Sequence, residues 1–129
     1  MDHATGTFVG LDNLKIFYQH WRPETDPRAV LVIVHGYAEH SGRYQHVAEY
    51  FVERGYAVYA LDHRGHGRSE GERAYVDRYN DLLVDLRTFV ELVRQRELAR
   101  RIFMVGHSMG GALATLFAAE HGDLLHGLV

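Results

Sequence analysis

The feature that most constrains this chain is Gly106-His107-Ser108-Met109-Gly110, which closes the apolar run Ile102-Phe103-Met104-Val105 and opens a second apolar stretch at helical spacing. A serine between glycines at a strand-to-helix turn has its hydroxyl lifted clear of the sheet, and glycine removes the side chains that would clash at so tight a bend. Ser108 is therefore the candidate nucleophile. The N–H of Met109 falls at the start of the following helix, where free donors and the helix dipole favour a developing negative charge. One short segment thus supplies an attacking group and half of an anion site. By itself G-x-S-x-G is a weak pattern, since an ordinary turn also satisfies it, and its weight comes from the segments around it.

Upstream, strand and helix patterns alternate. Residues 7–10 and 14–21 read as strands joined by a turn at Leu11-Asp12-Asn13, the second aromatic-rich and partly alternating, as an antiparallel edge strand would be. Residues 29–34, Ala-Val-Leu-Val-Ile-Val, are continuously apolar and mostly β-branched, the pattern of a strand covered on both faces. Ser41 is the expected N-cap of a helix that presents Tyr44, Val47, Ala48, Phe51 and Val52 on one side and stops at Gly55. A strand over 56–61 runs into the loop Asp62-His63-Arg64-Gly65-His66-Gly67-Arg68-Ser69. A longer helix is expected over 77–98, with Tyr79, Leu82, Leu83, Leu86, Val90 and Val93 at i, i+3, i+4 spacing. The strand 101–105, the Ser108 turn and a helix bearing Leu113, Leu116 and Phe117 follow, and residues 126–129 read as the start of another buried strand. The order β-β-β-α-β-α-β-α predicts an α/β fold with a mostly parallel sheet, helices on both faces and active loops at the carboxyl ends of the strands.

Composition excludes several classes of function. With 129 residues, 47% hydrophobic, 24% charged and a net charge of −3, the chain has an ordinary globular balance and no basic face for nucleic acid. Arg94, Arg96, Arg100 and Arg101 cluster at the end of a helix whose first turns hold Asp77, Asp81 and Asp85, which reads as dipole matching on a solvated face. No cysteine is present, so disulfides and thiolate catalysis are ruled out. His63 and His66 have no third ligand at suitable spacing, and neither metal nor cofactor is expected. The first residues lack a basic start and an apolar core, and no apolar run approaches the ~18 residues of a membrane span, so a soluble, cytoplasmic protein is expected.

Four segments then converge: His35-Gly36-Tyr37-Ala38-Glu39-His40-Ser41-Gly42-Arg43-Tyr44, Asp62 through Ser69, Tyr75-Val76-Asp77, and Gly106-His107-Ser108-Met109-Gly110-Gly111. Their combination resembles the monoacylglycerol lipase and lysophospholipase branch of the α/β-hydrolase superfamily over nearly the whole chain. The resemblance implies an α/β-hydrolase fold, truncated after the nucleophile-elbow helix, with residues 1–129 as the N-terminal part of a single domain. It implies hydrolysis of a lipid ester, monoacylglycerol above all, through an acyl-enzyme on Ser108. The N–H groups of Tyr37 and Met109 match the oxyanion hole. Glu39 and Arg43 match positions that border the polar head-group pocket, and a local ion pair that orients the loop is an equal alternative. Family members usually carry glycine where this chain has Ala38, which implies a stiffer oxyanion loop. His35 is expected to brace that turn, and Asp62, Arg64 and Arg68 to knit their loop together by charge-assisted hydrogen bonds. His107 is expected to be a packing residue.

The triad acid and histidine of the superfamily follow the serine, and both are expected beyond residue 129. Contact with a membrane surface is expected to be transient, through a lid outside this chain. Other readings are a lysophospholipase or other carboxylesterase, a proline iminopeptidase-type peptidase, and a non-catalytic binding protein of the same fold.

Overall fold

A computed structural model describes all residues, 1–129. Six strands form one sheet: β1 (Asp2–Val9), β2 (Lys15–Arg22), β3 (Val30–Val34), β4 (Ala57–Leu61), β5 (Ile102–Gly106) and β6 (Gly127–Leu128), in the spatial order β1-β2-β4-β3-β5-β6. The first two pairings, β1 with β2 and β2 with β4, are antiparallel. Those among β4, β3, β5 and β6 are parallel. Three helices accompany them: α1 (Gln45–Val52), α2 (Tyr79–Arg96) and α3 (Met109–His121).

The all-apolar sequence of β3 follows from its central position. Val30, Val32 and Val34 point into a large core shared with Leu82, Leu86 and Phe89 of α2 and Leu113 and Phe117 of α3. Leu31 and Ile33 point the other way, into a smaller core with Ala48 and Val52 of α1 and Trp21, Val58 and Ala60. A strand with helices on both sides needs apolar residues at every position, because the period-2 alternation of side chains serves two interiors. Helices thus cover both faces, as the sequence predicts.

Several expectations need correcting. The aromatic strand β2 is not at the edge: it lies between β1 and β4, and Ile16 through Trp21 are buried. Strand β1, twice as long as expected, forms the edge and alternates in burial. Ser41 is not a helix N-cap. A 3₁₀ turn over Ser41–Tyr44 precedes α1 and is capped by the His40 side chain, which accepts from the Gly42 N–H. Ser41 is drawn inward instead, its Oγ accepting from Gln19 Nε2 at 2.7 Å and its N–H donating to Asp62 Oδ1 at 2.6 Å. Helix α2 starts two residues late because Arg78 is extended, with φ −133° and ψ 137°. Asp85 does not serve the helix dipole, since it is fully buried and receives the Arg64 guanidinium at 2.7 and 3.0 Å.

Candidate active site

Strands β3 and β5 are parallel with Val34 opposite Gly106, so the chain leaves both at the same end of the sheet. The two loops therefore meet. The His107 N–H donates to the Val34 carbonyl at 3.2 Å, and a methyl group placed on Gly36 would lie 3.1 Å from the His107 carbonyl and 3.3 Å from Ser108 Cβ. The sheet register thus sets Gly36-Tyr37 against the Ser108 turn.

Ser108 has φ 57° and ψ −120°, a conformation that side chains rarely tolerate. Such a residue stores on the order of 1–3 kcal/mol of strain, which the surrounding packing must hold in place. The glycines make this bend feasible. A side chain on Gly110 would collide with the Val34 and His35 carbonyls, and one on Gly106 would collide with Gly110. The residue after the serine, Met109, is the first of α3, so its N–H precedes the intrahelical ladder. The Tyr37 N–H has no acceptor in the protein. Both expected oxyanion donors thus flank the turn that carries the serine.

Glu39 ties the turn from Gly36 to Tyr44 together. Its Oε1 accepts from the Gly36 N–H at 2.8 Å and the Tyr44 hydroxyl at 3.0 Å, and it lies 3.5 Å from His107 Nδ1. The Gly36 N–H, more than any other contact, holds the Glu39 carboxyl below the usual carboxylate range. Burial and the same carboxylate push the Tyr44 hydroxyl up to about 12. Arg43 stands 3.7 Å from Glu39 Oε2 with 61% of its side chain exposed. His107 does not pack as expected, since two thirds of its side chain is exposed; the elbow directs it out beside Glu39.

Beneath the turn cluster the imidazoles of His35, His63 and His66. His35, fully buried, donates from Nδ1 to the Gly36 carbonyl at 2.7 Å and accepts the His63 N–H on Nε2 at 3.0 Å, the brace that was expected. His63 Nε2 in turn donates to the His35 carbonyl at 3.0 Å. Burial pushes His35 down to about 4 and His63 well below the usual histidine range, so both are neutral spacers. No three histidine, aspartate or glutamate side chains are arranged to hold a metal. Asp62 knits its loop as expected, accepting from the Ser41 and Arg68 N–H groups at 2.6 and 2.9 Å.

Two contributors escaped the sequence reading. The sequence spacing puts Tyr44 on a core-facing helix stripe, and nothing in it marks the hydroxyl as a partner of Glu39. Asp85 carried a signal: an acid beside Leu82, Leu83 and Leu86, on the face of α2 that enters the core, requires a buried cation.

No carboxylate or imidazole hydrogen-bonds Ser108. Of the groups that follow it, His126 Nδ1 accepts from the Ile102 N–H at the opposite end of β5, roughly 15 Å away at strand spacing. No helix is long and apolar enough to cross a membrane.

Comparison with known proteins supplies the family and the fold. Residues 25–129 match the family described as Serine aminopeptidase, S33. A monoacylglycerol lipase of Mycolicibacterium smegmatis is 44% identical over 115 residues, covering 89% of this chain and 41% of that protein. The human monoglyceride lipase is 38% identical over 121 residues, covering 94% of this chain and 40% of that protein. A thermostable carboxyl esterase from Bacillus coagulans, solved in complex with glycerol, superposes with a TM-score of 0.86 at 33% identity, over 99% of this chain and 43% of that one. The chain thus spans about two fifths of the length of these relatives. On the family match over residues 25–129, the chain belongs to the family described as Serine aminopeptidase, S33, with an α/β-hydrolase fold.

Proposed function

We propose that the protein hydrolyses carboxylic esters, monoacylglycerols in the first place, through an acyl-enzyme on Ser108. The observation that carries this is the strained Ser108, at φ 57° and ψ −120°, raised at the start of α3 with the Gly36-Tyr37 turn against it. In this reading Ser108 Oγ attacks the ester carbonyl carbon and gives its proton to a general base. The carbonyl π electrons move to oxygen, and the N–H groups of Tyr37 and Met109 receive that oxyanion. Collapse of the adduct breaks the bond to the glycerol oxygen, which leaves with the proton, and water repeats the sequence to release the fatty acid. The general base and its acid partner are proposed to come from outside residues 1–129. The glycerol end is proposed to meet Glu39 Oε2 and the Arg43 guanidinium, since Glu39 Oε1 is committed to Gly36 and Tyr44.

The test is fatty-acid release from a monoacylglycerol by the natural protein that carries this sequence and by its Ser108→Ala variant. The variant is expected to lose roughly 10³- to 10⁶-fold in kcat. Ester turnover by Ser108→Ala close to the parent rate would overturn the assignment. Faster cleavage of an aminoacyl anilide than of glycerol esters by the parent would move it to a peptidase.

A further inference from the structure

We propose that the Tyr37 side chain is a positioning group for the oxyanion hole, fixing the backbone N–H of its own residue by clasping the loop that runs from Asp62 to Tyr75. The proposal rests on the serine-hydrolase reading above, in which that N–H receives the oxyanion. The Tyr37 hydroxyl donates to the Ala74 carbonyl at 2.9 Å, and its ring stands edge-on to His66 at 5.6 Å with an interplanar angle of 78°. Yet the residue is 59% exposed, so burial alone does not hold it there. An exposed tyrosine anchored at both ring and hydroxyl has lost the freedom to swing, and its backbone loses freedom with it.

The far side of the clasp is itself rigid. The Ala74 N–H donates to the Gly65 carbonyl at 2.7 Å. The Arg73 guanidinium donates to the carbonyls of Gly67, Ser69 and Gly71, winding the loop on itself. The same loop is moored to the core by the buried pair Arg64–Asp85, and His66 is held by its Nδ1 donating to the Arg64 carbonyl at 3.0 Å. Backbone strain marks both ends of the contact. Ala38, next to Tyr37, has φ 60°, and Ala74 has φ 56°; both lie in the left-handed region that disfavours alanine. Two such alanines persist only where the surroundings over-determine them.

On the other flank, Glu39 holds the Gly36 N–H. The turn is thereby fixed from two sides, with the Tyr37 N–H left free between them. A donor fixed before the reaction stabilises the developing charge without reorganising, which is where such donors gain their effect.

The variant Tyr37→Phe removes the hydroxyl and keeps the ring. Because deleting an oxyanion donor outright costs about 10²- to 10³-fold, loosening one is expected to lower kcat on a monoacylglycerol by about 3- to 10-fold, with KM within about twofold of the parent. Inhibition by an alkyl boronic acid, which forms a tetrahedral anion on the serine, is expected to weaken by the same factor. The melting temperature serves as control, because a purely structural hydrogen bond would shift it and leave kcat and boronate affinity alone. Amide exchange at residues 36–39 is expected to quicken in the variant. Parent-like kcat and boronate affinity in Tyr37→Phe, with an active parent, overturn the clasp and leave the serine-hydrolase reading standing. A parent that neither turns over esters nor binds the boronate removes that reading, and this proposal with it.

Discussion

At the scale of single residues, the turn from His35 to Tyr44 carries most of the specificity argument. Glu39 faces two ways: one oxygen braces the Gly36 turn, while the other stands 3.7 Å from Arg43. The exposed pair itself contributes little to stability at 3.7 Å. In the proposed function its value is as a recognition group. Arg43→Ala and Glu39→Gln, the latter keeping an acceptor for Gly36, are expected to lower kcat/KM for a monoacylglycerol by a few-fold to ~100-fold, the range of one lost hydrogen bond. A small activated ester without a diol should lose far less. Comparing the two substrates in variants that melt like the parent checks this, and equal losses would leave both residues as braces only. The strained turn at Ser108 and the free N–H groups beside it were legible because glycine spacing and a strand-to-helix junction encode backbone geometry. Tyr37's hydroxyl was not, because its partner is a main-chain carbonyl 37 residues away, and a carbonyl has no sequence signature.

At the scale of elements, His35 just after β3 and His63 in the loop after β4 pack ring against ring as a plug beneath the Gly36-Tyr37 turn. His35 and His63 are held uncharged by burial, His35 down at about 4. An unfolded histidine takes up its proton near pH 6.5, so the unfolded state binds more protons between about pH 6.5 and 4. The stability these groups provide is therefore complete above pH 6.5 and is lost as pH falls through that window, by on the order of 3 kcal/mol for His35 alone. Melting temperature recorded from pH 7.5 to 4.5 is expected to fall steadily below 6.5, and a flat profile would contradict the neutral-plug account. The strands and helices themselves were largely readable, since β3 and β4 are apolar throughout and α2 repeats at helical spacing. The position of β2 was not. Its aromatic alternation resembles an edge strand, but β1 pairs along its whole length and makes it an interior strand, a contact that polar residues such as His3 and Thr5 do not advertise.

At the scale of the whole molecule, the sheet carries an apolar groove of about 310 Å³ lined by Leu31, Ile33, Val47, Phe51, Tyr56, Phe103, Val105 and Val129. An uncovered surface of that kind favours association. Residues 1–129 produced alone are expected to self-associate on size exclusion and to bind a hydrophobic dye. With no base hydrogen-bonded to Ser108, they should turn over esters at less than about a thousandth of the natural protein's rate. A monomeric, dye-silent chain with near-native turnover would show that the catalytic base lies within these residues.

A nucleophilic Ser108 is expected to take up an active-site phosphonylating probe on its own hydroxyl. The natural protein is incubated with a fluorophosphonate, digested, and the modified peptide sequenced by mass spectrometry. The account predicts a single stoichiometric adduct on Ser108, formed in step with loss of ester hydrolysis and absent from Ser108→Ala. Loss of hydrolysis with the adduct on another residue, or hydrolysis that persists once Ser108 is fully modified, would contradict it.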